Sequence, residues 1–319
     1  MNIFATIRQR CAEVADQATS VVIDEDALAR FADQIPRDRL ARPAMDDEHH
    51  LVGRGDDTVA YILVLDAVNF GSGYFPTLHP VDGRRGYFMV ARALRDHFAS
   101  SGAPTAEELT RWTPADCATL FGQPLDESGP RELMELFSRA LRDLGGLVDT
   151  EFGGSFTALV AAANHRASSL VEILGQMPLY RDVATYRGKS VPLYKRAQIT
   201  VADLHLALRG EGLGRFDDLQ ELTIFADNQV PHVLRVAGAL SYTKDLADGI
   251  ESGELLPAGS PKEVEIRAVS LHAVELLTAR LNADGAETTT MAVDNYLWDI
   301  GERPPYSDGK KHRTRTTFY

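Results

Sequence analysis

The chain has 319 residues, 44% hydrophobic and 25% charged, ordinary for a globular protein with one large core or two closely packed lobes. A net charge of −13 disfavours nucleic-acid polymers, whose phosphates demand several Lys or Arg contacts, but not a single small nucleotide. Residues Met1 to Arg10 lack the apolar core of a signal peptide, and Tyr61 to Phe70 is too short to span a bilayer and is broken by Asp66. With only Cys11 and Cys117 there is no disulfide framework or cysteine zinc site, so the expected address is the cytoplasm.

Helical periods dominate from the start. Ile3 to Ala18 places Ile7, Cys11 and Val14 on one face, and Thr58 to Phe70 is apolar nearly all round, the mark of a buried helix. A loop, Gly71-Ser72-Gly73-Tyr74-Phe75-Pro76, follows. Gly86 to Ser100 is helical, and Thr105 with Glu108 has the spacing of a capping box. Arg131 to Leu144 is amphipathic and is expected to stop at Gly145-Gly146. Ser155 to Gly175 and Val191 to Leu208 have the length of long helices, the second with Pro192 in its tolerant first turn. Glu263 to Asn282 and Thr289 to Ile300 complete the series, with short strands expected near Gly188 to Val191 and in the last residues. No repeated strand–turn–helix units and no glycine-rich nucleotide fingerprint occur, so the fold class is mainly α.

Chemistry concentrates in a few places. Asp227 follows the core-like run Leu222 to Phe225 and precedes Pro231, which biases Val230 away from helix. Such a junction either holds a carboxylate at the lip of a pocket or uses Asp227 only to cap a helix starting at Pro231. Asp294, Asn295, Tyr296, Trp298 and Asp299 could read a purine-like base by stacking and by accepting from N–H groups. On a regular helix Asp294 and Asp299 differ by roughly 140°, and the alternative leaves both aspartates solvated. Lys195-Arg196, early in a helix, could bind a phosphate or could be merely solvated. His49-His50 after Asp46-Asp47-Glu48 suggests a metal only if the chain is irregular, and one of the pair could donate to a ligand instead. Asp66, in an apolar helix, needs a hydrogen-bond or cationic partner.

Taken in order, these signals resemble the queuosine salvage family, the queuosine 5′-phosphate N-glycosylase/hydrolases. The resemblance runs from about His49 to the C-terminus through Leu65-Asp66-Ala67-Val68-Asn69-Phe70, Phe152-Gly153-Gly154-Ser155-Phe156 and Tyr180-Arg181-Asp182. It continues through Tyr194-Lys195-Arg196-Ala197-Gln198-Ile199, Val201-Ala202-Asp203, Phe225-Ala226-Asp227, Glu263-Val264-Glu265-Ile266-Arg267, Asp294 with Tyr296-Leu297-Trp298-Asp299, His312-Arg313 and Tyr319.

The resemblance implies a single domain over 1–319, a helical fold related to helix–hairpin–helix DNA glycosylases, and hydrolysis to queuine and ribose 5-phosphate with no metal or other cofactor. It assigns the catalytic carboxylate to Asp227 and base-pocket positions to His50 (preferred over His49), Phe225, Asp294 and Asp299. Asn295 stands where the family commonly has an aromatic, and Asn228-Gln229 and His232 replace the family's usual Tyr-Arg and Gln. Lys195 is the candidate for the 5′-phosphate. The expected partner is therefore a small nucleotide, with neither nucleic-acid polymer nor membrane. Two other readings stay open: a base-excision glycosylase acting on DNA, and a non-catalytic binder of a modified nucleotide.

Overall fold

In a computed structural model, described over residues 2–40, 45–46 and 48–319, the chain is mainly helical, with only two short antiparallel strand pairs among those residues. Met1 and Asp47, both named above, lie outside the described residues. No described helix is long and apolar enough to cross a membrane. The residues fall into two compact units: described residues 2–40, 182–195 and 220–315 form one, and 45–46, 48–181, 196–219 and 316–319 the other.

The first unit is built around the Pro261–Ala283 helix. Its N-terminus is set by Pro261 in the first turn and by the Ser260 hydroxyl, which accepts from the Glu263 amide. It is buried nearly all round, and Glu263, Glu265 and Arg267 are buried together with Val264, Ile266, Val269 and Leu271. The Ile3–Ala15 helix packs on it through Phe4, Ile7, Cys11 and Val14, the expected face. That helix ends at Ala15, short of the predicted Ala18. The Glu265 carboxylate takes the amides of Thr19 and Ser20, at 3.0 and 2.6 Å, and draws the chain off the helix axis. The next residues, Val21–Ile23, pair with Leu240–Tyr242.

The expected strand near Gly188 is present as Lys189–Pro192, paired with Val183–Tyr186 across a two-residue turn in which Arg187 and Gly188 have φ of +47° and +77°. Pro192 therefore ends a strand and does not open a helix. The helix begins only at Lys195, because the Asp182 carbonyl accepts from both Leu193 and Tyr194 amides while Tyr194 sits at φ +49°. The last residues form no strand among those described. A single bridge joins Leu255 to Arg313.

In the second unit the Asp56–Ala67 helix is buried at every position from Thr58 to Ala67, as its all-round apolar character predicts. Helices Gly86–Ser101, Ser128–Phe152 and Phe156–Ala161 surround it. Buried Asp66 accepts from Asn69 Nδ2 at 3.1 Å. The capping box of Thr105 and Glu108 is fully formed.

Two further helices, both in this unit, differ from expectation. Ser128–Phe152 runs straight through Gly145-Gly146 and stops at Gly153, which is left-handed at φ 59°. Gly145 serves close packing: a Cβ there would lie 2.6 Å from the Ala106 carbonyl oxygen and 2.9 Å from the Thr110 nitrogen. The predicted Ser155 to Gly175 helix is two helices, Phe156–Ala161 and Ala167–Leu174. Asn164 and His165 turn the chain at φ +49° and +57°, and buried Asp218 restarts it by accepting from the Ala167 and Ser168 amides.

Gly145→Ala tests the packing reading. Alanine favours a helix interior by about 1 kcal/mol, whereas overpacking costs about 1–3 kcal/mol. The clashing atoms are the Ala106 carbonyl oxygen, the Leu109 Cβ and the Thr110 nitrogen, none of which can swing aside, so the clash should win and the thermal midpoint should fall. A midpoint at or above wild type would contradict this.

Candidate functional site

The first unit gathers most of the candidate residues. Leu222 to Ala226 form an irregular buried segment, and the Gln229–Val236 helix begins two residues after Asp227. One oxygen of Asp227, Oδ1, accepts from the amides of Gln229 at 2.7 Å and Val230 at 3.3 Å. Pro231, third in the helix and not first, brings no N–H to satisfy. Asp227 is thus a cap through a single oxygen. It is half-buried, and among the described residues Oδ2 accepts no hydrogen bond. Capping and pocket chemistry are compatible because the carboxylate divides them between its two oxygens.

Asp294 comes from the Thr290–Gly301 helix, which Thr289 caps by accepting from the Ala292 amide. Its Oδ1 accepts from the Phe225 amide at 3.0 Å, so the residue two before Asp227 is tied to it directly. The carboxyl is 3% exposed. Loss of hydration, reinforced by the negative charge of Asp227, pushes its pKa up to about 8, against the opposing pull of the Phe225 amide and the Lys195 charge. At neutral pH Asp294 therefore carries a proton and can donate as well as accept.

The Gln229–Val236 and Thr290–Gly301 helices are docked by Gln229, whose Nε2 donates to the Trp298 carbonyl at 3.2 Å and to Glu302 Oε1 at 2.7 Å. Gly301 makes room, since a Cβ there would lie 2.4 Å from that same nitrogen.

Lys195 is neither solvated nor at the surface: it is buried, and its charge acts on Asp294. Its amide donates to Asp182 Oδ2 at 3.1 Å. Arg196, assigned to the second unit, is buried too. It donates to the carbonyls of Asp66, Ala67 and Leu179 and lies over the rings of Phe70 and Tyr180, so it holds backbone, not phosphate.

The remaining candidates sit elsewhere. Asp299, with a side chain 43% exposed, pairs with Arg39 and with Arg303, the latter at 2.7 Å. The angular separation expected between Asp294 and Asp299 thus puts one in the interior and the other on a charged surface. Asn295 is half-buried and turns its Nδ2 back to the Met291 carbonyl at 2.9 Å. His50 belongs to the second unit. It is buried, with Nδ1 3.0 Å from the Asp46 carbonyl and Nε2 2.7 Å from the Tyr87 hydroxyl. Burial lowers its pKa despite the opposing carbonyl and charge of Asp46, so the ring is neutral at neutral pH. His49 instead contacts Asp46 Oδ1 at 2.9 Å and the Phe88 ring.

The sequence motifs contained, without revealing its role, a buried ion-pair hub. Arg267 and Asp182, 1% and 2% exposed, join through two contacts of 2.9 and 2.6 Å. Glu263, one turn earlier on the same helix, lies 3.6 Å from Arg267 Nη1. Arg267 Nε donates to the Ala226 carbonyl at 2.8 Å. The one local signal was the i, i+4 spacing of Glu263 and Arg267. Asp182 is 85 positions away from Arg267 and carries no such cue.

Residues 49–319 match the family model described as "Queuosine salvage protein". The chain is 41% identical over 312 residues to a queuosine 5′-phosphate N-glycosylase/hydrolase of Sphaerobacter thermophilus, covering 96% of this chain and 95% of that protein. Proteins of the same name show 36% identity over 269 residues in Dictyostelium discoideum, covering 82% of this chain and 78% of that one, and 30% over 334 residues in Mus musculus, covering 98% of each.

The raised pKa of Asp294 sets a pH dependence of stability. The folded state keeps the proton up to about pH 8, while the unfolded chain releases it near 3.8. The contribution is therefore complete below about pH 4 and is lost, by about 1.4 kcal/mol per pH unit, as pH rises toward 8. Relative to Asp294→Asn, wild type should lose stability across that window and run parallel above it, as read from urea unfolding at several pH values. Parallel curves throughout would show that Asp294 is ionised in the fold.

Proposed function

This chain belongs to the queuosine salvage protein family, and from that premise we propose that it hydrolyses the N-glycosidic bond of queuosine 5′-phosphate to give queuine and ribose 5-phosphate. The observation that carries the reading is the pairing of Asp227, which keeps Oδ2 without a hydrogen bond among the described residues, with a buried Asp294 that holds its proton. A buried carboxyl that keeps its proton is suited to donating, a step distinct from the one assigned to Asp227.

As the C1′–N bond breaks, its electron pair leaves with the base and positive charge develops on the ribose. Asp227 Oδ2 stabilises that charge and takes a proton from the water whose oxygen bonds C1′. That proton returns to the nitrogen of the departing base, which balances the reaction. A 7-deazapurine has no N7 to protonate, so activation falls to groups along the base edge, and Asp294 can donate there. Phe225 is assigned to the wall beside the base, Lys195 to the 5′-phosphate, and Asn295 and Asp299 to peripheral base contacts. For Asp299 this requires exchange of its pairing with Arg39 and Arg303.

The substrate in this reading is a monomeric nucleotide, in keeping with the charge of −13. The two cysteines are buried and unpaired, which suits a reducing compartment, and the cytoplasm is our assignment.

Chromatography of queuine released from queuosine 5′-phosphate tests the function. Wild type should turn the substrate over, and Asp227→Asn should lower kcat by at least about 10²-fold with the fold intact. A loss of only a few-fold would remove Asp227 from the central role. Lys195→Ala should raise KM for the 5′-phosphate more than for the bare nucleoside, and equal changes would reject the phosphate assignment.

A further inference from the structure

We propose that Arg267 and Asp182 are positioning residues: their buried ion pair fixes Asp227 in the geometry that the hydrolysis requires. The inference rests on the reading above, in which Asp227 is the reacting carboxylate.

The Arg267 guanidinium turns its nitrogens to different partners. Nε donates to the Ala226 carbonyl at 2.8 Å, one peptide unit from Asp227. Nη1 and Nη2 grip the two oxygens of Asp182. Asp182 in turn binds backbone on the opposite side. Its Oδ2 accepts from the Lys195 amide, and its carbonyl accepts from Leu193 and Tyr194. One guanidinium and one carboxylate thus connect the segment that carries Asp227 to the first residue of the helix that carries Lys195.

The contacts favour this role over simple stabilisation. A buried ion pair is a poor source of net stability, since desolvation offsets its Coulombic gain. The rigid planar fork of arginine, by contrast, fixes directions. Here the fork aims at a carbonyl adjacent to the proposed reacting carboxylate. The same segment is held from the other side by Asp294, which accepts from the Phe225 amide. Residues 225 and 226 are therefore clamped from the Thr290–Gly301 and Pro261–Ala283 helices, and Asp227 projects from the clamped end.

The test is steady-state kinetics of full-length Arg267→Lys and Asp182→Asn with queuosine 5′-phosphate, with far-UV circular dichroism as the folding check. Lysine keeps the charge but cannot reach Asp182 and the Ala226 carbonyl together. We expect kcat to fall on the order of 10²-fold, the cost of a misplacement near 1 Å, with KM within about threefold of wild type. In an Asp227→Asn background the Arg267→Lys change should reduce residual turnover less than twofold, because what it positions has already gone. A general structural effect would instead persist in that background. Wild-type kcat in both folded single variants, a loss confined to KM, equal losses in both backgrounds, or failure of both variants to fold would each overturn the positioning role. Failure of the functional reading is separable: it appears as wild-type turnover in Asp227→Asn, or as no queuine released by wild type.

Discussion

A guanidinium fully removed from water must be matched by charge and by hydrogen bonds, and Arg267 meets both demands with Asp182 and the Ala226 carbonyl from distant parts of the chain and Glu263 from its own helix. That requirement organises the first unit. It sets where the hairpin strand Lys189–Pro192 gives way to helix, since the same Asp182 holds Leu193, Tyr194 and Lys195. It also keeps the residue before Asp227 in an irregular stretch whose carbonyl a regular element would have used for itself.

Around this hub the electrostatics divide labour between two acids. Asp227 is half-buried and stays close to backbone amides through one oxygen. Asp294 is removed from solvent beside the Asp227 charge and keeps its proton instead. The Lys195 charge moderates that shift without abolishing it. A chain rich in carboxylates thus contains one site where a carboxylic acid persists at neutral pH, and the cause is burial next to a second negative charge.

Much of this was legible in the residues, and the failures have physical causes. The faces that helices bury are legible because apolar spacing reports burial directly: Ile7, Cys11 and Val14 are buried as expected, and so is every residue from Thr58 to Ala67. Gly145 was misread as a stop because a glycine chosen for a neighbouring backbone looks identical in sequence to one chosen for a left-handed turn. Pro192 was misplaced because Asp182 ties off the chain beyond it, a contact between residues that no local pattern links. The period of Glu263 to Asn282 gives the helix but not its burial: Glu263, Glu265 and Arg267 have the composition of a solvated face, yet each is satisfied inside. At the candidate site, Asp227 and Asp294 were both singled out, and the structure joins them through Phe225. Asp299 shared their motif but follows the helix round to the surface.

The account stands on the position of one oxygen atom relative to one sugar carbon. A crystal structure of the Asp227→Asn protein with queuosine 5′-phosphate bound measures it directly. The account predicts the side chain at position 227 within about 3.5 Å of C1′ or of a water in line with it. A ribose bound elsewhere, with that side chain still only capping the Gln229–Val236 helix, would contradict it.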